Sequence, residues 1–179
     1  AWEAIAYMKA RAVAGDIESA TRFLSKLQDT DWRRYGRSGD LSQLLTAMRQ
    51  RIENEQGASR PIKSGSGGYY DIDFILMYLR LREAYRFFES LNTPERIRVI
   101  HAGGHLSDEQ ADKLHRTAVF YRSLDHAMRM LSGHSLGKIP SSRSQQQIVK
   151  ELVGRWSIVK PGAESLAAFL DGVQAETRK

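Results

Sequence analysis

The chain has 179 residues, 41% of them hydrophobic and 27% charged, a balance ordinary for one globular domain with a sizeable core. It contains no cysteine, which excludes disulfides and thiolate chemistry, and no apolar run near the roughly 20 residues that span a bilayer. The formal charge of +6 raises nucleotides, nucleic acid and acidic protein surfaces as partners, but the basic residues are scattered (Arg33, Arg34, Arg37; Arg49, Arg51; Arg80, Arg82, Arg86; Arg96, Arg98), the pattern of a solvated surface.

Nucleic acid and membrane are therefore not expected as partners. The N-terminal stretch is charged and reads as helix rather than as a signal peptide, so a cytoplasmic location is the expectation.

Taken in order, Ala1 to about Ala10 reads as a short helix with Trp2, Ile5 and Ala6 at helical spacing. Gly15 breaks it. Asp16 is a natural cap for a helix over Ile17 to about Leu27 that buries Ile17, Ala20, Phe23, Leu24 and Leu27 on one face. Asp29 to Gly39 reads as a basic turn anchored by Trp32 and Tyr35. Asp40 caps a helix over Leu41–Gln56 whose stripe is Leu41, Leu44, Leu45, Met48 and Ile52.

A loop with three glycines in four positions follows (Gly65, Gly67, Gly68), where the backbone can reach positive φ and approach another group closely. It runs into a helix from about Tyr70 to Leu91, apolar nearly all round in its first half and so predicted to be central. Thr93 as cap with Pro94 behind it opens a short helix that stops at Gly103-Gly104. Ser107 and Gln110 form a capping box for a long helix to about Leu131, ended by Gly133. Helices near Ser144–Gly154 and around Leu166–Leu170 complete the chain. The expectation is a single all-α domain over residues 1–179, a bundle of about seven or eight helices.

The loop region is the strongest site candidate. Gly65-Ser66 followed by Asp71 and Asp73 imitates the Gly-Ser turn and paired carboxylates that hold nucleotide and Mg²⁺ in nucleotidyltransferases. The spacing is too short, however, and the carboxylates fall on a helix rather than a strand. The loop is not a Walker A loop, because no Gly-Lys-Ser/Thr closes it. It reads either as a phosphate cradle or as an ordinary interhelix connection. The five histidines show no metal-binding spacing, and no nucleophile–base pair is visible. Neither catalytic residues nor metal ligands are assigned.

Three ordered motifs nevertheless resemble one family. Lys63 to Leu81, KSGSGGYYDIDFILMYLRL, is similar to the K-x-G-x-G-G-I-R-D-I-E-F signature of the bacterial glutamine-synthetase adenylyltransferases, part of which the PII uridylyltransferases share. Trp2-Glu3 through Asp16 resembles that family's W-E-x-x-A-x-x-K-A-R-P-V-A-G-D segment. Gly104 to Ser107, the helix through Phe120, Tyr121 and Arg122, and Leu136 to Pro140 follow in the family's order. Tyr69 and Tyr70 stand for Ile-Arg, Asp73 for Glu, and Ala12 for Pro, which marks a divergent member.

The resemblance implies the helical domain that follows a nucleotidyltransferase domain, in an enzyme that uses ATP and Mg²⁺ to transfer AMP to a tyrosine of glutamine synthetase. The upstream catalytic domain and glutamine synthetase, or another protein substrate, are the implied partners. No cofactor is expected to bind this chain tightly, and the chain alone is expected to be inactive. Lys9, Arg11, Lys63, Gly65, Gly67, Gly68, Asp71 and Asp73 are the residues expected to face the nucleotide or the cleft, with Asp71 holding one of the three cations in place. The alternatives are that these residues clamp helices together, Asp71 serving as an N-cap, and that the chain is a non-catalytic basic module binding a protein or nucleic acid.

Overall fold

Caps and breakers place most of the helices in the computed structural model of the chain, which describes residues 2–7, 10–82, 92–134 and 137–178. A short α1 (Trp2–Tyr7) precedes α2 (Ile17–Asp31), which starts where the Asp16 carboxylate accepts the Ser19 N–H at 3.0 Å. Next come α3 (Leu41–Gln56), the single turn α4 (Pro61–Ser64) and α5 (Tyr69–Arg82). The last four are α6 (Thr93–Ala102), α7 (Asp108–Ser132), α8 (Arg143–Trp156) and α9 (Leu166–Thr177). The fold is all-α, and the described residues form no strand. Of the nine α-helices among them, seven have ten residues or more, in keeping with the bundle the sequence implies.

Ser107 and Gln110 make the expected reciprocal cap of α7, and Gly133 closes that helix in the left-handed conformation at φ 75°. The cap of α6 is displaced by one residue from the expectation. Asn92, not Thr93, is the N-cap, in a box with Glu95. The Thr93 hydroxyl is instead hydrogen-bonded to the Tyr69 hydroxyl at 2.9 Å. The helix predicted to reach Leu91 is described as far as Arg82, and its remainder lies outside the described residues.

Two clusters of buried apolar side chains hold the helices together. The larger is built around α7 (Phe120, Tyr121, Leu124, Met128), with Val149 and Val153 of α8, Ile97 and Ile100 of α6, and Leu166 and Leu170 of α9. The smaller joins Ala4 of α1, Leu41 and Leu45 of α3, and Met77 and Leu81 of α5. Helix α5 sends Ile72 and Leu76 into the first cluster and Met77 and Leu81 into the second. A helix flanked by apolar clusters on two sides must be apolar nearly all round, which is what its sequence shows.

Two expectations at the N-terminal end are corrected. The stretch from Asp29 is not a turn, because α2 continues to Asp31 and then widens into a π-helical turn, Trp32–Gly36. Trp32 and Tyr35 do anchor it on the smaller cluster, and the Trp32 indole N–H donates to the Arg82 carbonyl at 2.8 Å. The apolar face of α2 is not buried either: Ile17 is 51% and Phe23 65% exposed. The helix packs on α1 and the π-turn, which together cover only part of its face.

Candidate functional site

The glycine loop, residues 65–68, is held from four directions. Gly67 has φ +69°, and a Cβ there would stand 1.9 Å from the Gln174 carbonyl oxygen of α9. Glycine is thus required both by conformation and by space. The Gly67 N–H donates to Asp71 Oδ2 at 2.6 Å, and its carbonyl accepts the Tyr121 hydroxyl of α7 at 2.5 Å. Arg49 of α3 donates to the carbonyls of Ser64 and Gly65 at 3.1 and 2.6 Å. Gln174 donates to the Pro61 carbonyl at 2.8 Å, and the Gly68 N–H is bonded to the Gly65 carbonyl. The amides of Gly67 and Gly68 are therefore spent inside the protein. Gly65, Gly67 and Gly68 are themselves buried.

Asp71, in the first turn of α5, is the centre of an ion network. Its Oδ1 lies 2.5 Å from Arg49 Nε, and Arg178 Nη1 donates to both its oxygens at 3.2 Å. Glu53 completes the set, 3.4 Å from Arg49 and 3.3 Å from Arg178. Two guanidinium and two carboxylate groups balance. Asp71 does clamp helices, yet not as an N-cap: its carboxylate lies inside the helix start and closes the loop ahead of it. The cations it holds are Arg49 and Arg178, rather than Arg11 or Lys63, and Lys9 lies outside the described residues.

Arg49 left a trace in the sequence. It stands four residues after Leu45 and three before Ile52 on the apolar stripe, so a cation sits on a face that is otherwise buried. Arg178 and Gln174 left none, because a contact across more than a hundred residues has no local signature.

Beyond the loop, Tyr70 stands between two depressions. On one side is a hollow of about 750 Å³ lined by Ala6, Met48, Ile52, Asp73, Phe74 and Met77. On the other is a cleft of about 170 Å³ lined by Lys63, Tyr69, Tyr121, Arg122, Asp125 and Arg129. Asp73 and the end of α1 therefore face one depression and Lys63 the other. Arg11 is exposed on the chain leaving α1.

Burial raises the pKa of the Tyr69 phenol, aided by Asp73 and opposed by the Thr93 hydrogen bond, Arg122 and Arg96. The Tyr121 phenol is also pushed up, chiefly by burial. Arg80 is drawn down to about 10 by burial and then by Arg96. Among the described residues no three His, Asp or Glu side chains come together as metal ligands. None of the described helices is long and apolar enough to cross a membrane.

Comparison with known proteins places this architecture. A family model described as GlnD PII-uridylyltransferase matches residues 40–177, the stretch from α3 through α9. A bifunctional glutamine synthetase adenylyltransferase/adenylyl-removing enzyme from Hahella chejuensis is 32% identical over 158 residues, 86% of this chain and 16% of the relative. The chain belongs to the glutamine-synthetase adenylyltransferase family. An enzyme of the same description from Mycobacterium tuberculosis (strain H37Rv) is 30% identical over 173 residues, 93% of this chain and 17% of the relative. One from Bartonella quintana is 28% identical over 160 residues, 86% and 16% respectively. The chain thus spans about one sixth of the length of these curated adenylyltransferase relatives.

Proposed function

We propose that this chain is the helical domain of an adenylyltransferase-like nucleotidyltransferase. Its partner domain transfers AMP from ATP to a tyrosine hydroxyl of a protein substrate, glutamine synthetase first among the candidates, with release of pyrophosphate. The helical domain provides one wall of the nucleotide and substrate cleft and no reacting group. The observation that carries this reading is the glycine loop: it is hydrogen-bonded from α3, α5 and α7 and packed against Gln174 of α9, and Lys63 and Tyr70 stand beside it over open depressions. A wall that positions phosphates must be rigid, since misplacement of a reacting group erodes the gain from proximity.

The role of this chain toward ATP is electrostatic. Lys63 and Arg11 supply positive charge toward the phosphates. Asp71 is neutralised by two guanidinium groups, so its lone pairs are not free for a hard cation, which supports assigning Mg²⁺ to the partner domain.

The test is AMP incorporation into glutamine synthetase by the longer protein that carries this chain, supplied with ATP and Mg²⁺. Lys63→Ala and Arg11→Ala should each lower kcat/KM about tenfold, the loss of roughly one charge-assisted contact. Full activity in both variants would show that the wall plays no part in handling the nucleotide.

A further inference from the structure

The cleft beside Lys63 has an electrostatic imbalance that the loop itself lacks. Arg122, Asp125 and Arg129 recur at i, i+3 and i+7 on α7, so they share the face of that helix turned away from Leu124, Ala127 and Met128. Lys63 of α4 approaches the same face, with Nζ 4.0 Å from Asp125 Oδ1, while Asp125 Oδ2 takes Arg129 Nε at 2.8 Å. Asp125 thus faces both Lys63 and Arg129. Arg122 is exposed, and no carboxylate among the described residues pairs with it. Among the described residues, three cations and one carboxylate therefore border a cleft of about 170 Å³ lined also by Ile62 and Tyr121.

That volume is below the ~300–1,000 Å³ typical of sites for whole small molecules, and it suits a single charged group. The cleft adjoins a second hollow of about 450 Å³, which shares Arg122, Asp125 and Arg129 and adds His126 and Trp156. There the His126 and Trp156 rings lie 5.2 Å apart, with the indole 39% exposed. Guanidinium forks match phosphate oxygens in geometry, and an exposed indole offers a face for an attached ring.

We propose that Lys63, Arg122 and Arg129 form a binding site for a phosphate-bearing ligand, the phosphate seated in the small cleft and an attached ring, where the ligand has one, against Trp156. The proposal rests on the reading above in giving Lys63 to the nucleotide phosphates, and it adds Arg122 and Arg129 of α7 to that role. The ligand is a free phosphoanion or the phosphate chain of a nucleotide.

Calorimetric titration of the 179-residue chain with inorganic phosphate, pyrophosphate and ATP, all without metal, distinguishes these. Saturable binding is expected. Arg122→Ala and Lys63→Ala should each weaken pyrophosphate binding about tenfold with an unchanged helical circular dichroism spectrum. Asp125→Asn should tighten it several-fold by removing the competing carboxylate, an effect that a merely structural role would not produce. Arg155→Ala, at the end of α8 and outside both hollows, should change nothing. Tighter binding of ATP than of pyrophosphate, lost in Trp156→Leu, identifies a nucleotide; equal binding identifies a phosphoanion. No saturable binding of any of the three, or binding untouched by Arg122→Ala, overturns the proposal. AMP transfer by the longer protein without phosphate binding here would overturn this proposal alone, whereas binding here without AMP transfer would overturn the transferase reading alone.

Discussion

Arg49 ties the glycine loop to α3. Its guanidinium bonds the carbonyls of Ser64 and Gly65 and faces Asp71 and Glu53 while the side chain is only 6% exposed, so nothing in solvent can replace it. Arg178 meets the same two carboxylates from a side chain that is 45% exposed, and water can stand in for it. Removing one partner of a buried pair costs about 3–5 kcal/mol, because the remaining charge is stranded, whereas exposed pairs contribute about 1 kcal/mol or less. Arg49→Ala should therefore lower the unfolding free energy by about 3–5 kcal/mol and Arg178→Ala by about 1 kcal/mol or less. Urea denaturation of the two variants measures both; equal losses would show that the network is not centred on Arg49. A residue of this kind is half-legible in sequence: its place on an apolar stripe says that it is buried, but its partners lie in other elements.

Helices α2 and α7 show how far periodicity reaches at the scale of the element. Both carry apolar residues at helical spacing and both are capped as their sequences imply. Phe120 of α7 is fully buried and meets Tyr121 and Phe169 at ring distances of 5.4 and 5.3 Å, while Phe23 of α2 is 65% exposed. Phe120→Ala should cost about 3–5 kcal/mol and Phe23→Ala no more than about 0.5 kcal/mol, read as shifts in thermal or urea midpoints. A large loss from Phe23→Ala would mean that α2 is covered in solution. The caps of α2 and α7, the glycine that ends α7, its apolar stripe and the all-round apolar α5 were legible because each is a local property of the chain, whereas Asp40 makes no side-chain cap at α3 and Leu44 of the expected α3 stripe is 43% exposed. The π-turn at Trp32–Gly36 and the open face of α2 were not legible, since both depend on what the neighbouring elements leave uncovered.

Across the whole molecule, the two apolar clusters differ in what secures them. The larger gathers five helices (α4, α5, α6, α8 and α9) around α7 and is tied to the glycine loop through Tyr121, Gln174 and the Asp71 network. The smaller has five buried members among the described residues and is joined to the rest mainly through α5. Regions with few buried apolar contacts open at lower free energy than the core, so local stability should fall from α7 toward α2. In native-state hydrogen exchange, the amides of α7 between Ala118 and Met128 should be the slowest, exchanging only through global unfolding. Those of α2 should exchange orders of magnitude faster, through an opening that leaves the larger cluster intact. The glycine loop provides the deciding comparison. If the Gly67 and Gly68 amides exchange with α7, the loop is part of the rigid body and can serve as a fixed wall for a ligand. If they exchange with α2, the four restraints on the loop do not act together, and the reading of the loop as a preorganised wall fails.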